Sequence, residues 1–146
     1  MNLMRAILKT AACGAALAAG AAALAQDRSS PPPLGLKGYD PVAYFTDGKP
    51  SKGTPSINFD FDESRYLFST SKNRDTFASN PDRYSPQFGG LCATGLSMGM
   101  KTESDPNVWA IVDGKLYVFY SPQARDMAIK DPALIRRSHE TWKKGK

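Results

Sequence analysis

The chain has 146 residues, of which 41% are hydrophobic and 23% are charged, and this size suits one domain with one modest core. Its net charge of +5 comes from basic residues that are scattered along the sequence, apart from a short run at the C-terminus. A nucleic-acid-binding surface needs clustered basic residues with interleaved aromatic ones, so we expect no nucleic-acid partner. The sequence also suggests no internal repeat.

Residues 1–25 have the pattern of a secretory signal peptide. Arg5 and Lys9 precede a short apolar run, residues 11–24, which ends in small residues before Gln26. We predict cleavage after Ala25 and a periplasmic or secreted protein. Because a membrane span needs ~20 strongly apolar residues, we expect no stable span after cleavage. Cys13 leaves with the signal, so the mature chain has one cysteine and forms no intramolecular disulfide.

The folded domain is predicted to cover residues 35–146, after a flexible, proline-rich linker at 26–34. Asp40 precedes Pro41 and is expected to cap a short helical turn. The alternating apolar residues at 57–61 indicate a strand, and residues 66–68 return as a second one.

A helix capped by Ser71 or Asn73 is then expected to end at Asn80, because a residue before proline avoids helical backbone. Residues 82–86 are expected to be irregular. A further helix, interrupted by Gly95, is predicted over 91–98.

A hairpin that begins at Val108 and ends at Tyr120 is the clearest local prediction, because Asp113-Gly114 separates two β-rich runs. Ser-Pro and Asp-Pro pairs then open two C-terminal helices, the last ending near Trp142. The predicted fold class is α+β, with a small antiparallel sheet, short helices packed on it and two C-terminal helices.

Cys92, directly after a glycine pair and a leucine, is the main candidate functional residue. Thiolate and thioether groups suit Cu(I), so Cys92, Met98 and Met100 are predicted as ligands of a soft metal, with copper as the candidate cofactor. His139 is the only histidine and a further candidate ligand, although its polar neighbours favour a solvated helix face.

Four segments in this order resemble the exported bacterial YHS-domain proteins. They are GYDPVAYF at 38–45, YLFS at 66–69 with the following NPDRY at 80–84, QFGGLCA at 87–93 and WAIVDGKLY at 109–117. The resemblance covers about residues 36–142 and implies a small module suspected of binding metal, as found beside metal-transport ATPases and some hydroxylases. In some members the position of Cys92 resembles selenocysteine, which implies redox or soft-metal chemistry.

The chain departs from the metal-associated modules in one segment. Those modules carry cysteines in the stretch that matches residues 66–77, where this chain has Ser69 and Asn73. A hydroxyl and an amide are poor ligands for a soft metal, so a metal site here has to be built around Cys92.

Three hypotheses follow. The first is an exported module that binds a soft metal ion or small ligand near Cys92. Under this hypothesis the protein is more often a non-enzyme than an enzyme. The second is a thiol oxidoreductase that uses Cys92, whose pKa a helix N-terminus would lower. The third is a structural or partner-binding domain with a buried cysteine, because free cysteines are often buried. No phosphate-binding loop, HExxH, CxxC or GxSxG motif is present.

Overall fold

The computed structural model describes residues 30–146, so the predicted signal peptide lies outside the described residues. The α+β fold class is confirmed. The strands form two separate two-stranded antiparallel sheets, whereas the sequence suggested a single sheet. The elements are α1 (Ala43–Thr46), β1 (Thr54–Phe61), β2 (Ser64–Phe68), α2 (Ser71–Ser79), α3 (Pro81–Tyr84), α4 (Ala93–Ser97), β3 (Asp105–Val112), β4 (Lys115–Phe119), α5 (Pro122–Lys130) and α6 (Pro132–Lys144). Among residues 30–146, no helix is long and apolar enough to cross a bilayer.

Turn and capping chemistry explains most boundaries. Asp113 and Gly114 both adopt positive φ, at 52° and 72°, as a tight β3–β4 hairpin requires. The Ser121 side chain accepts from the N–H of Ala124 at the start of α5, and Asp131 accepts from Ala133 at the start of α6. The predicted hairpin and both C-terminal helices are therefore confirmed.

Two local predictions are wrong. Thr70, rather than Ser71 or Asn73, caps α2, because its hydroxyl oxygen accepts from the N–H of Asn73. The stretch after Asn80 is not irregular: Asn80 accepts from the N–H of Arg83 and caps the short helix α3. In both cases the capping residue lies one position outside the helix, where its backbone is free to be extended.

The two halves of the described chain repeat the same structure. Each begins with a left-handed turn, named turn A (Gly35–Gly38) in the first half and turn B (Gln87–Gly90) in the second. A short helix, a hairpin and two further helices follow in each half. From β1 and β3 onward, equivalent residues lie 51 positions apart (105 − 54). Even the irregularity in strand pairing recurs, after Thr54 in β1 and after Asp105 in β3.

The expectation of no internal repeat is therefore wrong. From β1 and β3 onward, seven equivalent pairs are identical, and they are Pro55 and Pro106, Asp62 and Asp113, Tyr66 and Tyr117, Phe68 and Phe119, Arg74 and Arg125, Asp75 and Asp126, and Pro81 and Pro132. Apart from the adjacent Arg74 and Asp75 they are spaced apart, and many of the residues between them differ in size or polarity. The equivalence becomes visible only when turns, caps and strand register are compared.

The core has one hydrophobic cluster for each half, and β4 separates them. Leu116 and Val118 of β4 belong to the first-half cluster, whereas Tyr117 and Phe119 belong to the second-half cluster. Side chains alternate between the faces of a strand, so β4 contributes to both clusters and is buried along four of its five residues. This arrangement joins the two halves into one packed unit.

Candidate functional site

Cys92 lies in the core of the second half and is fully buried, with 0% exposure. Its backbone N–H donates to the carbonyl of Thr102 (2.9 Å), and its sulfur accepts from the N–H of Gly95 (3.5 Å) at the start of α4. The surrounding cluster includes Phe88 and Phe119. The sulfur thus has one weak polar partner and otherwise apolar neighbours.

The two predicted thioether ligands have different surroundings from the thiol. Met98 and Met100 follow the C-terminal end of α4 and are 53% and 50% exposed, whereas Cys92 is buried at the other end of that helix. Within residues 30–146, no group of three or more His, Cys, Asp and Glu side chains is arranged to hold a metal ion. The structure therefore does not bring the predicted soft ligands into one solvent-exposed cluster.

His139 is half-buried on the side of α6 that faces the core, so it is less solvated than its polar neighbours suggested. Its Nε2 lies 2.8 Å from the Tyr117 hydroxyl, and its ring contacts Phe88 edge-on at 4.8 Å. Burial, followed by the nearby charges of Lys115 and Lys143, lowers the pKa of His139. The local sequence did not indicate that His139 lies on the side of α6 that faces β4.

Asp40 occupies in the first half the position that Cys92 occupies in the second. Both follow a left-handed turn, are 0% exposed and accept hydrogen bonds from the start of the next short helix. The N–H of Asp40 donates to the carbonyl of Ser51, which matches the bond from Cys92 to Thr102. The sequence prediction that Asp40 caps this turn is confirmed.

The Asp40 carboxylate is held by two groups of donors. One oxygen accepts from the N–H groups of Val42 (2.9 Å) and Ala43 (3.4 Å). The other accepts from the N–H and hydroxyl of Ser69 (2.9 and 2.8 Å) and from the side-chain amide of Asn73 (2.8 Å). Ser69 and Asn73 thus meet at one point and hold a carboxylate by hydrogen bonds.

An open groove lies where turns A and B meet, and we call it the inter-turn groove. Its narrow end has a volume of about 170 Å³ and its wider end about 500 Å³. The two ends share Lys37, Glu103 and Ser104. The narrow end is completed by Leu34, Leu36, Gly89, Gly90 and Leu91, and the wide end by Tyr39, Asp105, Pro106, Asn107 and Tyr120.

Backbone geometry shapes the narrow end. Leu36 and Phe88 both adopt left-handed φ values, 50° and 59°, and each turn closes with a glycine of φ near 86°: 87° at Gly38 and 85° at Gly90. Gly89 and Gly90 present no side chain to the groove, and Leu91 leads directly into Cys92. Cys92 itself is buried and does not line the groove.

The wide end carries more negative than positive charge. Lys37 and Glu103 form an exposed ion pair at 3.3 Å. Asn107 donates its backbone N–H and its side-chain amide to Asp105, and these hydrogen bonds lower the pKa of that carboxyl group. Among the lining side chains, one ammonium thus faces two carboxylates beside the aromatic rings of Tyr39 and Tyr120, and the Lys52 ammonium lies 5.9 Å from the centre of the Tyr39 ring.

Sequence reasoning missed this groove, since its residues come from segments that are distant in the chain. The glycine pair at 89–90 was the available signal, and it directed attention to the neighbouring thiol instead. The chain matches no family model, no curated protein and no solved structure with which it was compared.

We predict that Asp40→Ala lowers the free energy of unfolding by at least about 3 kcal/mol, because it leaves several buried donors without an acceptor. A double-mutant cycle with Asn73→Ala should give a coupling energy of roughly 1–3 kcal/mol. Urea unfolding measures both quantities, with the exposed Asp75→Ala as a control expected within about 0.5 kcal/mol of wild type. Additive effects of the two core substitutions would contradict the hydrogen-bonded arrangement.

The lowered pKa of His139 predicts a pH-dependent stability. The unfolded chain binds the proton more readily, so this contribution is complete above the ordinary pKa of ~6.5 and is lost as the pH falls below it. Lowering the pH from 7.5 to 5.0 should therefore reduce the free energy of unfolding of wild type more than that of His139→Gln, whose amide can still bond the Tyr117 hydroxyl. Urea unfolding at each pH measures this difference. Identical pH profiles for the two proteins would show that burial does not disfavour the charged ring.

Proposed function

We propose that the chain is an exported YHS-type binding module that holds a small ligand in the inter-turn groove. The observation that carries this proposal is the groove itself, a concave surface where the two halves meet, with polar and aromatic side chains around an opening of about 500 Å³. The signal-peptide pattern and the resemblance to exported YHS-domain proteins support export to the periplasm or beyond. The narrow end of the groove is lined by Leu91, the residue that precedes Cys92 in the chain.

The charges around the groove favour a small organic cation. Glu103 and Asp105 supply two carboxylates, of which Glu103 pairs with Lys37 and Asp105 forms no ion pair among residues 30–146. Tyrosine rings attract cations through their faces, and Tyr39 already has the ammonium of Lys52 at 5.9 Å from its ring centre. Tyr120, which is 49% exposed, is available for the same contact with a bound ligand.

Choline is a suitable probe for this site. In an NMR titration we expect chemical shift changes at Tyr39, Asp105 and Tyr120, and about two- to fivefold weaker binding to Asp105→Asn, which removes an exposed charge but keeps the oxygen that Asn107 bonds. Asp126→Asn, which removes a carboxylate elsewhere on the surface, should bind as wild type does. Shift changes outside the groove, or equal effects of the two substitutions, would refute the proposed site.

Cys92 has a structural role in this proposal. Copper binding by Cys92, Met98 and Met100 requires α4 to open, because the sulfur is buried and the two thioethers lie at the surface. A thiol oxidoreductase also requires access to the sulfur. The buried environment supports the third hypothesis for this residue, in which the cysteine packs the core behind the groove.

We predict that a disulfide reagent modifies Cys92 at least about a hundredfold more slowly in the folded protein than in urea, since reaction needs an opening of the core. Lys72→Cys in a Cys92→Ala background provides an exposed thiol as the reagent control. Rapid labelling that Cu(I) suppresses would favour the copper site instead. Rapid labelling without any effect of Cu(I) would favour the oxidoreductase.

A further inference from the structure

A second opening lies on the far side of the second half, and we call it the second-half pocket. It has a volume of about 380 Å³ and lies between α5, the start of α6 and the tip of the β3–β4 hairpin. Its walls are mainly apolar and include Val112, Ala128 and Ile135. Ile129, at its edge, is 55% exposed.

In the first half, the space equivalent to this pocket is filled by an aromatic side chain. Phe77, the equivalent of Ala128, is 0% exposed, and its ring centre lies 6.1 Å from that of Phe61 and 5.8 Å from that of Phe59. Those two rings meet it edge-on. The first half therefore uses a phenyl ring of its own to fill the space between its hairpin and its helix.

The second half has no aromatic ring at the three equivalent positions. Ala110, Val112 and Ala128 stand at the positions of Phe59, Phe61 and Phe77, on the same strand and helix faces. Two of these replacements, Val112 and Ala128, line the second-half pocket. Ala128 is itself 4% exposed and packs in the second-half cluster, so the pocket opens beside this alanine, with an apolar wall that suits a ring.

The rim supplies a positive charge. Arg136 lines the pocket and forms no ion pair with another side chain among residues 30–146. Asp113 lies on the rim as well, but Lys115, which pairs with Val112 across the hairpin, adds a second positive charge on that side. The surroundings therefore favour an anion over a cation at the mouth of the pocket.

We propose that the second-half pocket binds a small aromatic carboxylate, with its ring against Val112 and Ala128 and its carboxylate on Arg136. The ring takes the place of the missing phenylalanine, and the guanidinium pairs with the carboxylate in the fork geometry that arginine provides. This site is separate from the inter-turn groove, and it does not depend on the function proposed there.

The test uses 3-phenylpropionate as the probe, in an NMR titration of the mature protein. We expect saturable shift changes at Val112, Ala128 and Ile129, with binding in the millimolar range. Arg136→Gln should weaken binding about two- to fivefold, as expected for an exposed charge pair, whereas Lys144→Gln at the far end of α6 should not. 2-Phenylethylamine, which has the ring but the opposite charge, should bind more weakly.

Ala128→Phe is the decisive variant, since it restores the ring that the first half has at this position. It should abolish binding of 3-phenylpropionate while keeping or raising the unfolding midpoint. If this variant does not fold, Val112→Phe fills the same pocket from the opposite wall and should also abolish binding. Absence of saturable binding, unchanged binding in a folded filled variant, or equal binding of the amine would overturn the proposal.

Discussion

The burial of both faces of β4 is the constraint on which the rest of the structure depends. Leu116 and Val118 complete the first-half cluster while Tyr117 and Phe119 complete the second. A strand in this position cannot slip by one residue without exchanging its two faces, which would place aromatic rings where aliphatic side chains now pack. The hairpin register fixed by Asp113 and Gly114 therefore also fixes how the two halves meet. Turns A and B contact each other as a consequence of that meeting, and the inter-turn groove forms between them.

The same constraint explains the environment of Cys92. Its backbone pairs with Val118 of β4 in an isolated parallel bridge, so the residue is held against the most buried strand of the domain. The equivalent Asp40 is equally buried but has Ser69 and Asn73 as partners. The residues equivalent to that pair are Tyr120 and Ala124, and Ala124 belongs to the cluster around Cys92. A charged acceptor in the second half would thus lack side-chain donors, whereas a thiol can be buried with a single weak hydrogen bond.

Local chemistry made part of this fold predictable. The Asp-Gly hairpin, the Asp40 cap and the Ser-Pro and Asp-Pro helix starts depend on neighbouring residues, and sequence reasoning located each of them. The surroundings of Cys92 and His139 depend on β4. This strand is far from Cys92 in the chain, and its Tyr117 meets His139 only because α6 packs back against it. Long-range packing of this kind leaves no periodic signal. The repeat was hidden for a related reason, since its equivalent positions conserve turns and caps while core residues such as Phe77 and Ala128 differ in size.

The first half of the chain is the more completely packed, whereas the second half has the space proposed to bind a ligand. In the first half, five aromatic rings pack around one another between hairpin and helix, and the Asp40 carboxylate has donors for both oxygens. A half packed this completely has little room for a ligand, and removing any one of its rings would leave a cavity. The second half has the same order of elements but smaller residues at the three positions equivalent to Phe59, Phe61 and Phe77, and the long helix α6 packs against its core. Ser138 of α6 donates to the carbonyl of Ala93, so this helix also holds α4 and the thiol in place. Because α6 stabilises the second half, the space next to Ala128 does not have to be filled for the fold to be stable.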